Sequence, residues 1–277
     1  MLGKLHLKRN ITQIFAVMTK EIKLNLRFEY EFLLRFIKPF VSIIIPFIVF
    51  TKVFNISETY FFDYYTAENF LLFLLIAYCI NYMFSLLTLY RNMFHQEKIW
   101  LTLKGLIIAP FNKFNLVVGM MLAEIVVIVP IVACFLIVCY IFFPIPLLNI
   151  LIFCVIFLAI IVIFTGIGVF IGVLEIVREG KSAIVAYGTQ FISWLSCVTY
   201  PLRLFPRILQ NLIMLNPFYY IFDLLRLSWW AGINPADALQ YIYVEHIVIT
   251  ILTTISIPIV SLYLFDIIYK KYGISGY

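Results

Sequence analysis

The 277-residue sequence predicts an all-α integral membrane protein with six transmembrane helices. Composition is the first reason: 64% of the residues are hydrophobic and 12% charged, with a mean hydropathy of +1.06. Soluble domains carry roughly 25% charged and 45–50% apolar residues. The second reason is length. Apolar runs at 36–54, 68–90, 115–143, 147–174, 182–200 and 246–269 each approach or exceed the ~20 residues a helix needs to cross a ~30 Å hydrocarbon core.

Charge placement is the third. Lys4, Lys8, Arg9, Lys20, Lys23, Arg27 and Arg35 precede the first run, and Lys38 stands at its very start. Arg91, Lys98, Lys104 and Lys113 follow the second, Arg178 and Lys181 the fourth, and Lys270 and Lys271 the last. Only Lys52, Arg203, Arg207 and Arg226 fall on the other side. Cytoplasmic loops carry the excess of Lys and Arg, so both termini are expected in the cytoplasm and the net charge of +6 is mainly a topology signal. No soluble basic face remains for nucleic acid.

Residues 10–34 are expected to form an interfacial amphipathic helix. Ile11, Ile14, Phe15, Met18 and Ile22 recur at helical spacing, while Lys20, Lys23 and Arg27 fall on another face. Such a helix lies in the headgroup plane and turns its cations toward anionic lipid. A solvated amphipathic helix is the other reading. Pro39 and Pro46 are expected to bend the first span, and Pro130 the third. The loop 55–67 is aromatic and acidic, which suits an interfacial belt.

The cytoplasmic loop 91–114 holds a short helical pattern around Glu97, Lys98, Trp100 and Thr102, with Gly105 and Pro110 as breakers. In the third span Glu124 stands out, because a carboxylate at membrane depth is expensive. It is expected to line a conduit or pair across helices. A position near the interface is the alternative. Phe143-Pro144-Ile145-Pro146 marks a tight turn between the third and fourth spans. The fourth contains Gly166, Gly168 and Gly172. Without a preceding strand these glycines are no phosphate loop, and small residues in a membrane helix let neighbours approach closely.

Between the last two spans, residues 201–230 read as two short helices broken at Asn216-Pro217, with Asn216 as N-cap and Pro217 at N1. Broken helices persist at membrane depth when packed against protein or lining a wet cavity. Asp223 and Arg226 are three residues apart on one face, with Arg207 on the preceding short helix. They are expected to form a polar network closing the outer mouth, or else to be solvated interfacial charges. Trp229 and Trp230 suit an interfacial anchor, as do Glu245 and His246 at the entrance of the last span.

Catalysis and metal binding find no support. The five cysteines lie in apolar runs, where a free thiol behaves as a small hydrophobe. His6, His95 and His246 are scattered, with no ligand spacing around them.

Ser196, Pro201-Leu202, Pro206, Leu209, Leu212, Leu215-Asn216-Pro217, Tyr220, Asp223 and Arg226 together resemble the C-terminal signature of type-2 ABC transporter permeases, most closely the drug-efflux and lipo-oligosaccharide export branch. Glu97, Thr102, Leu103, Leu106 and Pro110 resemble that family's segment between the second and third spans. Ile99-Trp100-Leu101 depart from it, where the family usually has a more charged run.

The resemblance implies a single permease domain over residues 1–277, with 91–114 as the coupling helix seated on an ATP-binding cassette subunit. It also implies a second permease copy, most simply a homodimer, in the cell membrane. ATP and Mg would be bound by the partner ATPase and no cofactor by this chain. The transported substrate would be hydrophobic or amphipathic: a drug-like molecule, a lipid or a lipid-linked glycan. An ion-coupled transporter or channel is the alternative and would depend on Glu124.

Overall fold

The computed structural model describes residues 2–27, 70–99, 113–177, 194–236 and 244–272, with scattered positions at 30–49, 187–192, 238 and 242. Among the described residues there are seven α-helices and no strand. They are α1 (Leu2–Arg27), α2 (Phe70–Ile99), α3 (Lys113–Phe142), α4 (Leu147–Val177), α5 (Arg207–Met214), α6 (Pro217–Ile233) and α7 (Val244–Tyr272), with a 3-10 turn at Leu202–Leu204.

α3, α4 and α7 each contain a stretch long and apolar enough to cross a membrane: Phe114–Phe142, Leu147–Gly172 and Val244–Ile267. α5 and α6 meet at 88° across a short break and together make a fourth span or a re-entrant hairpin. The expected spans at 36–54 and 182–200 lie largely outside the described residues.

Two expected boundaries shift. The N-terminal helix starts at Leu2 rather than at residue 10 and is described as one element to Arg27. Nothing stronger than Gly3 interrupts its first turns, and a single glycine costs a helix only about 1 kcal/mol. The second correction concerns the loop drawn at 91–114. α2 runs unbroken to Ile99, so residues 91–99 continue the apolar helix instead of starting a separate one. Arg91-Asn92-Met93-Phe94-His95-Gln96-Glu97-Lys98 contains no Gly or Pro, and charge alone does not stop a helix. Trp100 and Thr102 lie outside the described residues.

The hairpin between α3 and α4 falls where the prolines place it. The Phe143 amide donates to Cys139 O at 2.7 Å, closing α3, and the Asn149 amide donates to Pro146 O at 3.0 Å, opening α4. Pro144 and Pro146 have no N–H to lose there. Pro130 and Pro258 sit inside α3 and α7 without ending either helix.

α4 is the central post. α2, α6 and α7 pack against it, while α1 packs against α3. Phe84 of α2, Phe164 of α4 and Phe222 of α6 meet edge-on and stacked, with centroids 4.7 Å (Phe84–Phe164) and 5.8 Å (Phe84–Phe222) apart. α3 joins this core through Phe135, stacked on Tyr78 at 4.4 Å.

At Gly166 a Cβ would lie 3.0 Å from the Pro258 Cα, so this glycine sets the crossing of α4 and α7. The small-residue reading of the fourth span holds there. Away from the core, α7 exposes Ile251, Leu252, Ile255 and Ile259, an apolar outer face suited to lipid.

Candidate functional site

The broken pair is held in place by side chains from both ends of the signature. Pro206 precedes α5 in an extended conformation, φ −56° and ψ 149°, and the Gln210 amide donates to Phe205 O at 2.7 Å. α5 buries Ile213 and leaves Arg207, Ile208, Leu212 and Leu215 exposed. Its elbow with α6 is closed by the Tyr220 hydroxyl, which donates to Met214 O at 2.9 Å.

Asn216 does two jobs at this elbow. Its Oδ1 accepts from the Phe218 amide at 3.1 Å, the expected N-cap. Its Nδ2 reaches back to the turn that begins at Leu195, donating to Ser196 Oγ at 2.8 Å and to Ile192 O at 3.1 Å. Ser196, fully buried, in turn donates to Ile192 O at 2.6 Å. The signature's first and middle positions thus form one cluster.

Arg226 fastens the same turn from below. It is 3% exposed, and its Nη2 donates to Cys197 O at 2.9 Å and Val198 O at 2.5 Å. Its guanidinium carbon lies 4.2 Å from the centre of the Phe73 ring, a cation–π contact from α2. Cys197 adopts φ 55°, a left-handed conformation unusual for a residue with a side chain. That conformation turns two successive carbonyls toward one guanidinium. Pro201, also buried, follows the turn.

Asp223 and Arg226 do not pair with each other. Asp223 Oδ2 lies 3.4 Å from His246 Nε2 at the start of α7, where Tyr220 stands edge-on to the imidazole at 5.1 Å. Arg207 stays exposed and makes no described contact with this network. Three of the expected charges therefore part company: Arg226 to backbone carbonyls, Asp223 to α7, Arg207 to the surface. The interfacial-anchor reading of the tryptophans gives way too, since Trp229 is fully buried and Trp230 nearly so. Trp229 Nε1 donates to Phe143 O at 3.3 Å, and Asn149 Nδ2 donates to Ser228 O at 3.1 Å. At Gly232 a Cβ would come within 2.7 Å of the Ile145 Cβ. α6 is thereby clasped to the α3–α4 hairpin, to α7 and to the Leu195–Val198 turn at once.

A second polar cluster lies between α1 and α3. The Asn115 amide, buried in α3, donates to Gln13 Oε1 at 2.7 Å and Asn10 Oδ1 at 3.1 Å. Gly119 brings the helices together, since a Cβ there would lie 2.7 Å from the Val17 Cβ. Further along, Asn25 Nδ2 donates to Glu124 Oε1 at 3.2 Å, and Glu124 is 1% exposed. Glu97 and Lys98 lie in the last turn of α2.

Sequence reasoning missed Asn10, Gln13, Asn25, Asn115, Phe73 and the Asp223–His246 contact. Helical periodicity gives no signal for the α1 residues: Ile14 and Met18 of the apolar stripe flank Asn25 on the helix surface, and Gln13 neighbours Lys20 of the cationic face. Among the described residues no group of His, Cys, Asp or Glu is arranged to hold a metal ion.

A family model described as ABC-2 type transporter matches residues 12–230, well over half of the chain. No curated protein matches the chain.

Proposed function

The chain belongs to the ABC-2 type transporter family, and on that premise we propose that it is the membrane-spanning permease subunit of an ATP-driven exporter. The family match over residues 12–230 is the observation that carries this reading. In it, a cassette ATPase hydrolyses ATP on the cytoplasmic side and a second permease, an identical copy in the simplest assembly, completes the path. The substrate is hydrophobic or amphipathic: a drug-like molecule, a lipid or a lipid-linked glycan.

The charge distribution supports a cell-membrane topology with both termini cytoplasmic. That orientation puts α1, the end of α2 and the start of α3 next to the ATPase, and the hairpin at Phe143–Pro146 with the α5–α6 elbow on the outer side. The coupling loop within residues 91–114 then meets the ATPase groove, Glu97, Lys98, Trp100 and Thr102 supplying contacts. ATP-driven closure moves that segment and α3 with it. At the other end Pro201, Pro206, Arg207, Asn216, Pro217, Tyr220, Asp223 and Arg226 belong to the outer gate. There the clasp keeps α6 and the Leu195–Val198 turn together as one piece, so the gate opens by displacement of that piece.

The test is co-purification with the cognate ATPase from lipid. The intact chain is expected to retain the ATPase and Glu97→Arg to weaken the association. An intact chain that retains no ATPase would sink the proposal.

A further inference from the structure

We infer that Glu124 is a positioning residue: it locks α1 onto α3 by accepting the Asn25 amide, so that the two helices move as one lever. This rests on the permease reading above and replaces a conduit role for Glu124. The helices touch at three levels, and the contacts advance along both together. Asn10 and Gln13 meet Asn115, Val17 meets Gly119, and Asn25 meets Glu124. Hydrogen bonds thus hold both ends of the seam, and a glycine that admits no side chain holds its middle.

Burial sets the strength of the lock. Asn115 is 2% exposed and Glu124 1% exposed, and polar groups removed from water are costly to leave without partners. Sliding α1 off α3 would take these α1 partners from both, whereas keeping the pair intact retains them. Elsewhere α1 leaves Ile11, Phe15 and Leu26 exposed on one face, and Arg9, Lys23 and Arg27 on another. α3 enters the central core at its other end through Phe135 on Tyr78. A displacement applied to α1 or to the start of α3 is therefore delivered to the aromatic core by a single body. The role needs an acceptor at position 124 and not a charge.

That distinction makes the inference testable with Glu124→Gln, which keeps a carbonyl acceptor, and Glu124→Leu, which keeps none. The chain is placed in nanodiscs without ATPase, and hydrogen exchange is followed over residues 10–27. Glu124→Leu is expected to speed exchange by roughly five- to tenfold, the effect of losing a hydrogen bond on a local opening. Glu124→Gln should match the wild type. Asn25→Ala repeats the loss without altering α3, in case Glu124→Leu folds poorly.

With the cognate ATPase bound, Glu124→Leu and Asn25→Ala should lower chain-dependent ATP turnover while Glu124→Gln preserves it. Unchanged exchange in both Glu124→Leu and Asn25→Ala would overturn the lock. A Glu124→Gln variant as defective as Glu124→Leu would overturn it as well and turn attention to an ion or proton at that carboxylate. The exchange arm needs no ATPase, so a failure of the permease reading leaves it decisive.

Discussion

Replacing Arg226 by Ala should be among the most damaging single changes in this chain. The guanidinium makes two hydrogen bonds to backbone carbonyls and one ring contact, all of them buried. Hydrogen bonds from a charged donor contribute ~1.5–3 kcal/mol each, and a desolvated cation–π contact about 2 kcal/mol. Against that stands the cost of keeping a cation at depth, which the variant no longer bears. The net loss is about 4 kcal/mol, in the range found when one partner of a buried charged interaction is removed.

For a chain of this size each kcal/mol moves the melting temperature by roughly 2–4 °C, so the midpoint should fall by about 10 °C. Intrinsic fluorescence in nanodiscs is a suitable assay, because Trp229 and Trp230 lie on the same helix as Arg226. Arg226→Lys should lose about half as much, since an ammonium lacks the planar fork that serves two carbonyls. Arg207→Ala, at an exposed site, should shift stability by less than about 0.5 kcal/mol. An Arg226→Ala variant that melts with the wild type would refute the clasp and return Arg226 to the status of a solvated interfacial charge.

Other changes test neighbouring contacts. Asn216→Ala should cost about 2 kcal/mol by thermal melting, because it removes both an N-cap and the amide bonds to Ser196 and Ile192. Gly232→Ala should cost about 1–3 kcal/mol, since the new methyl would collide with Ile145. Gly188→Ala serves as its control. Among the described residues nothing lies within 4 Å of a Cβ at that helical position, so it should be neutral or stabilising by about 0.5–1 kcal/mol.

The fold was legible wherever one local rule decided it. Asn216-Pro217 carries both halves of a helix start, and Phe143–Pro146 ends one helix and starts another with residues that cannot do otherwise. The end of α2 was less legible. Charges from Arg91 onward suggested a loop, yet only Gly or Pro would have stopped the helix, and the first such residue after 91 is Gly105.

Partners across the chain were the hardest to read. Arg226 finds carbonyls 29 and 28 residues earlier, and backbone acceptors leave no mark on composition. Spacing on one helix face points Asp223 toward Arg226, whereas the contact it makes is with His246 of the next helix. Glu124 stands out as a carboxylate in an apolar run, whereas Asn115 does not, and the face of α1 that covers them depends on packing rather than on periodicity.

ATP turnover by the cognate ATPase in a lipid bilayer, measured with and without this chain, tests the central claim most directly. A permease subunit should assemble with the ATPase and change its turnover, and Glu97→Arg should reduce that change. An ATPase whose turnover is the same with and without the chain, and which does not associate with it, would contradict the account.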